Sequence, residues 1–231
     1  MTARLLGVRE EASFELARRW DAAERSLRRN ADDASFLGDG ARAAPGGYAA
    51  VSLSTHVGGA DRDAAVAALA GLLDAVADET GLEIVVHAHF GSLRAGEVRG
   101  DGVLHRDVAE RMRHPVRVEP TVGVIESARF ARRAAMVVTS RYHPAVFAVP
   151  GGVPTIGIPV DEYTTVKLRG ALTTFGQDGL LPLDRVADAG AHRVRATWAR
   201  RDAIREAGRD AAERVRAASR DWWDRLAAEL G

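Results

Sequence analysis

Between Tyr48 and Pro159 the chain alternates short apolar runs with longer amphipathic ones, and this alternation restricts its fold more than any other feature. "YAAVSL" reads as a buried strand, "LEIVVHAHF", "AMVVTS" and "VPTIGIP" as strands, and "VRVEP" as a short strand. In "DRDAAVAALAGLLDAVADET" the residues Val66, Leu69, Leu72, Leu73 and Val76 fall on one face at helical spacing. "HRDVAERM", "TVGVIESARFARRA" (with Thr121 as N-cap) and "PAVFAV" read as the other helices. Strands linked through helices by short connections run parallel, and such a sheet is covered on both faces. The expectation is therefore an α/β fold, a Rossmann-like parallel sheet with helices on both faces.

The flanks read differently. "ARLLGV" has the pattern of a short strand and "EEASFELARRW" that of a helix anchored by Phe14, Leu16 and Trp20. "GDGARAAPGG", residues 38–47, reads as a linker. From Ala191 onward Val194, Trp198, Ile204, Val215, Trp222 and Leu226 mark one or two long helices, with Gly208 as a break and Trp222 and Trp223 as packing anchors. The expected division is an N-terminal strand–helix segment and linker, 1–45, followed by a Rossmann-like domain, 46–231.

Composition narrows the function. Acidic and basic residues balance at 32 each, so no net field draws the chain to nucleic acid or an anionic membrane. There is no cysteine, which removes disulfides and thiolate metal sites and fits a reducing compartment. The longest apolar stretch carries Asp74 and is too short to span a bilayer, and the segment after Met1 lacks the pattern of a secretory signal. A cytoplasmic protein that does not span a membrane is expected.

In open parallel sheets the ligand crevice lies beyond the carboxyl ends of the strands. Arg141 and His143 follow "AMVVTS", Asp161 follows "PTIGIP", and Lys167, the only lysine of the chain, lies six residues further on. Pro144 suits the first position of a helix, which would put "SRYH" on the turn feeding its N-terminus, a place for an anion. The Gly151–Gly152 pair would end that helix. Arg141 either pairs with a neighbouring carboxylate or offers its fork to a ligand carboxylate or phosphate. These residues support an anion site without specifying a reaction.

The stretch "ARFARRAAMVVTSRYHPAVFAVPGGVPTIGIPVDEYTTVKLRGAL" resembles the polysaccharide pyruvyl transferase family. The likeness is carried by Ser140, Arg141, His143, Phe147, Ala148, Gly152, Val153, Pro154, Asp161 and Lys167, and extends more weakly through "GYAAVSLS" and "VVHAHFGSL" to "VREEASFELA". It implies the C-terminal, donor-binding half of a fold of the glycosyltransferase B (GT-B) type. It also implies phosphoenolpyruvate as donor, no separate cofactor, and a surface glycan or its lipid-linked precursor as acceptor, which receives the pyruvyl group as a cyclic ketal. Carried over residue by residue, Ser140, Arg141, His143 and Lys167 would hold the donor, with His56 standing where the family often has Arg. His143, Lys167 and Asp161 would serve the chemistry, His143 as general acid or phosphate ligand. Because the likeness starts near the end of the family's first domain, it implies that a further domain or a partner chain supplies the acceptor wall.

Other features point elsewhere or nowhere. His87 and His89 alternate in one strand and so face the same side, but no third ligand at suitable spacing supports a metal, and structural roles are expected. Asp101 and His105 have the same ambiguity. No P-loop or dinucleotide fingerprint is present. Two rival readings stand beside pyruvyl transfer: a sugar-nucleotide-dependent GT-B glycosyltransferase half, and a non-catalytic anion- or sugar-binding module.

Overall fold

The computed structural model describes residues 5–37, 46–94 and 96–230. The expected linker, apart from its last two glycines, lies outside them. The chain opens with β1 (Leu6–Val8), α1 (Glu11–Arg19) and β2 (Leu27–Arg29), a parallel pair of short strands joined by a helix. It continues with β3 (Tyr48–Ser52), α2 (Arg62–Thr80), β4 (Glu83–His87), α3 (Asp101–Ala109), β5 (Val116–Glu119), α4 (Val124–Arg133), β6 (Met136–Thr139), α5 (Tyr142–Ala148), β7 (Thr155–Gly157), α6 (Glu162–Thr174), α7 (Val186–Ala199) and α8 (Arg201–Leu230).

Among the described residues β3 to β7 form one five-stranded sheet, all parallel, in the order β5-β4-β3-β6-β7. Register decides which side chains meet. Val51 lies opposite Val86 on one side and Val138 on the other, and Val138 lies opposite Ile156. This row faces α2, where Leu69, Leu72, Leu73 and Val76 complete an aliphatic core. Each such side chain contributes about 1.5–3 kcal/mol when fully buried. The alternate residues Ala50 and Val137 face α4 and α5, which meet the sheet through Ala128, Ala131, Ala145 and Ala148. Small residues on that face bring the backbone of α5 close to the sheet, and its N-terminus close to the end of β6.

Helix α2 starts and stops where its residues require. The Asp61 side chain accepts from Ala64 N at 2.9 Å, and Gly81 ends the helix at φ 69°, a conformation that favours glycine.

Several boundaries depart from expectation. Helix α3 starts at Asp101, four residues before "HRDVAERM". The N-cap of α4 is Gly123, while the Thr121 hydroxyl instead donates to Ala88 O at 3.2 Å. Pro144 is the third residue of α5, not the first, and Arg141 is its N-cap. The missing N–H is tolerated there as well, because the first-turn donors have no partner within the helix. A short 3-10 turn, Val149–Gly151, then ends at Gly152 with φ 67°. Gly208 does not break α8; a Cβ there would lie 2.6 Å from the Cα of Gly152, so glycine lets the helix backbone rest on that turn. In α1 the buried residue is Ala17, while Leu16 and Trp20 are 42% and 75% exposed. A pair of three-residue strands covers too little of that helix to bury larger side chains.

Candidate functional site

The strand order reverses at β3 and β6, where the connections depart to opposite sides, and the crevice expected at such a point is present. Four strand ends supply its walls: Ser54 and His56 after β3, His89 after β4, Ser140 and Arg141 after β6, and Asp161 after β7. With Tyr142, His143, Tyr163 and Lys167 they line a cleft of about 460 Å³. His56, Ser140, Arg141, His143, Asp161 and Lys167, the six residues singled out in the sequence, all border it.

Side chains fix the backbone at the cleft floor. Leu53 N donates to His105 Nε2 (2.8 Å), Ser54 N to Ser140 Oγ (2.7 Å), His56 N to Ser54 Oγ (3.1 Å) and Arg141 N to Thr139 Oγ1 (2.9 Å). Each satisfies a donor that the end of a strand would otherwise leave without a partner. Because His105 Nε2 accepts, that ring is neutral with its proton on Nδ1. Burial pushes its pKa down to about 4.

Arg141 is committed inward. Its Nε donates to both carboxylate oxygens of Asp101, at 3.2 and 3.0 Å, and its Nη2 also donates to Asp101. Asp101 is 0% exposed and accepts in addition from Phe90 N at 3.0 Å. The sequence left Arg141 open between a neighbouring carboxylate and a ligand; the structure gives it the carboxylate, and only Nη1 lacks a hydrogen-bond partner among the described residues. Asp101 and His105, ambiguous in the sequence, thus hold up the cleft from beneath.

The rim is built by α6. Asp161 is its N-cap: Oδ1 accepts from Thr164 N and Thr164 Oγ1, each at 2.7 Å, and Thr164 Oγ1 accepts in turn from Asp161 N at 3.1 Å. The remaining oxygen, Oδ2, lies 3.1 Å from His56 Nε2. Hydrogen bonds from Thr164, backbone first, and from His56 hold this carboxyl below the usual carboxylate range, so it is an anion at neutral pH. The segment "EYTTV" is helical. It carries Lys167 along the cleft wall, where Nζ donates to Tyr163 Oη at 2.8 Å and sits 4.9 and 4.7 Å from the ring centroids of Tyr142 and Tyr163.

His143 is exposed at the cleft mouth, its ring 5.9 Å from that of Phe147. Partial enclosure lowers its pKa, with Arg9 and Lys167 pressing the same way against the opposing charge of Asp32. It is therefore neutral at pH 7, which suits a hydrogen-bonding partner better than a ready proton donor. His87 and His89 do face one side, with centroids 4.9 Å apart, and are held by different serines: His87 Nε2 by Ser127 Oγ at 2.9 Å, His89 Nδ1 by Ser52 Oγ at 3.0 Å. Sequence reasoning passed over His89 as a cleft residue, and Tyr142, Tyr163 and Ser54 as well. The pairing of Tyr163 with Lys167 was legible in their four-residue helical spacing.

The family model described as polysaccharide pyruvyl transferase matches residues 2–162. The match includes His56, Ser140, Arg141, His143 and Asp161 and stops short of Lys167. No curated protein matches. Among solved structures, the calicheamicin glycosyltransferase CalG4 is 16% identical with a TM-score of 0.52, over 99% of this chain and 55% of its own. TarM is 10% identical with a TM-score of 0.51, over 96% and 43%. The trehalose 6-phosphate synthase from Burkholderia multivorans is 12% identical with a TM-score of 0.50, over 98% and 58%. At such identities the likeness is one of fold, an α/β architecture of the kind found in GT-B glycosyltransferases, and the chain spans about half the length of these structures.

Proposed function

The chain belongs to the polysaccharide pyruvyl transferase family, and we propose from this premise that it takes part in moving a pyruvyl group from phosphoenolpyruvate onto two hydroxyls of a glycan or a lipid-linked precursor. The observation that carries the reading is the convergence of polar residues from four strand ends on one cleft of about 460 Å³, a volume within the usual range for small-ligand pockets. The site of action would be the cytoplasm, where phosphoenolpyruvate is available. A second domain or a partner chain would complete the acceptor side.

Ketal formation needs a cation for the departing phosphate, a proton for the methylene carbon of the enol phosphate, and an acceptor for the hydroxyl proton. Lys167 is the cation best suited to the phosphate, because its charge is shared with tyrosine rings and, among the described residues, with no carboxylate. Arg141 contributes less than a free guanidinium would, since Asp101 balances its charge; in this reading its Nη1 makes a single hydrogen bond to the donor. His143 lies close enough to feel the charge of Lys167. A phosphate between the two would draw a proton back onto the imidazole and so prepare it as an acid. Ser140 would donate its hydroxyl to the same anion, since its oxygen already accepts from Ser54 N.

The test is ligand-dependent melting. Phosphoenolpyruvate at about a hundred times its dissociation constant should add roughly 2.7 kcal/mol of stability. Uridine and guanosine sugar nucleotides should leave the transition in place. A shift with a sugar nucleotide and none with phosphoenolpyruvate would replace this reading by a glycosyltransferase one.

A further inference from the structure

We propose that His56 and Asp161 form the proton-accepting pair of the cleft: His56 takes the proton from the attacking acceptor hydroxyl, and Asp161 positions its ring. The inference deepens the pyruvyl transfer reading and rests on it. The resemblance to the family had put His56 among the donor-binding residues; the geometry gives it another part.

The two residues are 105 positions apart in sequence and meet at 3.1 Å between Nε2 and Oδ2. An ionised carboxylate only accepts, so Nε2 carries the proton and Nδ1, across the ring, keeps its lone pair. Asp161 is itself immobilised through Oδ1 by the backbone and hydroxyl of Thr164. The result is a chain of orientation, Thr164 to Asp161 to His56, in which a base is aligned by a fixed anion that also stabilises the imidazolium once formed. The backbone supports this meeting. Gly58 has φ 63°, and a Cβ there would come within 2.4 Å of Val160 O, so glycine lets the loop after β3 lie against the exit of β7.

The other histidines around the cleft are worse placed for the task. His105 Nε2 is occupied by Leu53 N. Burial pushes the pKa of His89 down to about 3, and His87 is buried against Ser127. His143 is exposed, but no carboxylate fixes its tautomer in the described structure. His56 combines an exposed side chain (62%) with an aligned carboxylate.

The step balances as follows. The acceptor oxygen bonds to C2 of the enol phosphate, its proton passes to His56 Nδ1, and C3 gains a proton that comes ultimately from solvent. The second hydroxyl then attacks C2 and the C2–O bond to phosphate breaks. Its proton leaves with the phosphate as hydrogen phosphate, and His56 returns its own proton to solvent.

Two measurements test the pair. In the full chain labelled with 15N-histidine, the His56 spectrum at pH 7 should show the Nε2–H tautomer. Asp161→Asn, which keeps a good helix cap, should convert it to a mixture. A predominant Nδ1–H form, or a spectrum unchanged by the substitution, overturns the pair whatever the donor. Phosphate release from phosphoenolpyruvate in the presence of a sugar diol, by the chain together with the domain or partner that completes its acceptor side, is the second measurement. His56→Gln should lower kcat on the order of a hundredfold or more, the usual contribution of a positioned base, while KM for phosphoenolpyruvate stays within about twofold. Asp161→Asn should lower kcat by about tenfold. Wild-type kcat in His56→Gln sinks the inference and leaves pyruvyl transfer standing. Turnover of a sugar nucleotide in place of phosphoenolpyruvate, slowed by His56→Gln, does the reverse.

Discussion

Lys167 shows how one side chain can be specified by its surroundings. Its ammonium fits between two tyrosine rings and bonds to a phenol oxygen, an arrangement for a compact charge on a flexible stem. A guanidinium is planar and broad, and cannot occupy the same space with one donor aimed at Tyr163. Lys167→Arg should therefore weaken phosphoenolpyruvate binding nearly as much as Lys167→Ala, on the order of tenfold, which calorimetric titration of the three proteins would read. Equal affinities for Lys and Arg would return the residue to a surface role. Arg141 makes a different prediction. Removing it leaves the buried Asp101 carboxylate without its cation, so Arg141→Ala should cost about 2–3 kcal/mol of stability, by denaturant unfolding, before any ligand is considered. The buried histidines add a pH dependence whose sign is fixed. His89 and His105 have folded-state pKa values of about 3 and about 4, below the ordinary 6.5. The unfolded chain therefore binds protons first as pH falls, and stability held above about pH 6.5 declines toward pH 4. Between pH 7 and 5 each should account for a loss on the order of 2 kcal/mol. Asp161, whose pKa is depressed, loses its contribution only at more acid pH and does not obscure that window. The lowered pKa values of His87 and His143 add to the same decline. Urea midpoints at the two pH values test this, and His105→Gln should remove about 2 kcal/mol of the difference; a flat profile in the parent protein would refute the assignment.

Among the elements, strands were the most legible. The apolar runs of β3, β4, β6 and β7 are buried on both faces, the pattern of a covered parallel sheet, while β5 at its edge is not, and the site residues followed from where the buried runs end. Helix starts were less legible. The beginning of α5 was placed at Pro144 because proline favours a first turn, but a first turn has several positions that tolerate it, and the structure uses the third. The Arg141–Asp101 contact was out of reach for a different reason: it depends on the start of α3 meeting the turn after β6, and no spacing along the chain encodes a contact 40 residues apart. Gly208 was misread because the same residue serves two opposite purposes, ending helices and letting them approach. The distinction can be measured. Gly208→Ala ordinarily gains about 1 kcal/mol in a helix interior, but here the new Cβ would strike the backbone of Gly152. The net effect should be a loss of about 1–3 kcal/mol, and a stabilised Gly208→Ala protein would show that α8 stands further from the turn.

At the scale of the molecule, α8 is the strap. Its 30 residues extend about 45 Å, from the turn at Gly152 to the strand pair of the N-terminal segment. A Cβ on Gly7 would lie 2.9 Å from Trp222, Trp223 Nε1 donates to Asp33 Oδ1 at 3.1 Å, and Arg225 reaches Arg25 O at 2.6 Å. Trp222→Ala should cost about 1–3 kcal/mol. It should also strip hydrogen-exchange protection from β1 and β2 while β3 to β7 keep theirs. Uniform loss of protection would mean that the two parts unfold as one.

The strand order has a temporal meaning too. β3 meets β4 after a single helix, but meets β6 only after β4, α3, β5 and α4 have been strung out between them. Closing the shorter loop comes at less entropy, so the β3–β4 unit is the natural first partner on the folding route and β6 a late arrival. Ser54 and Ser140, which pin the cleft floor to each other, belong to those two ends. No earlier assembly holds the cleft, and a ligand has nothing to grip until the sheet is nearly complete. Bound ligand should then act almost wholly on escape from the native state, slowing unfolding and leaving the rate of folding unchanged.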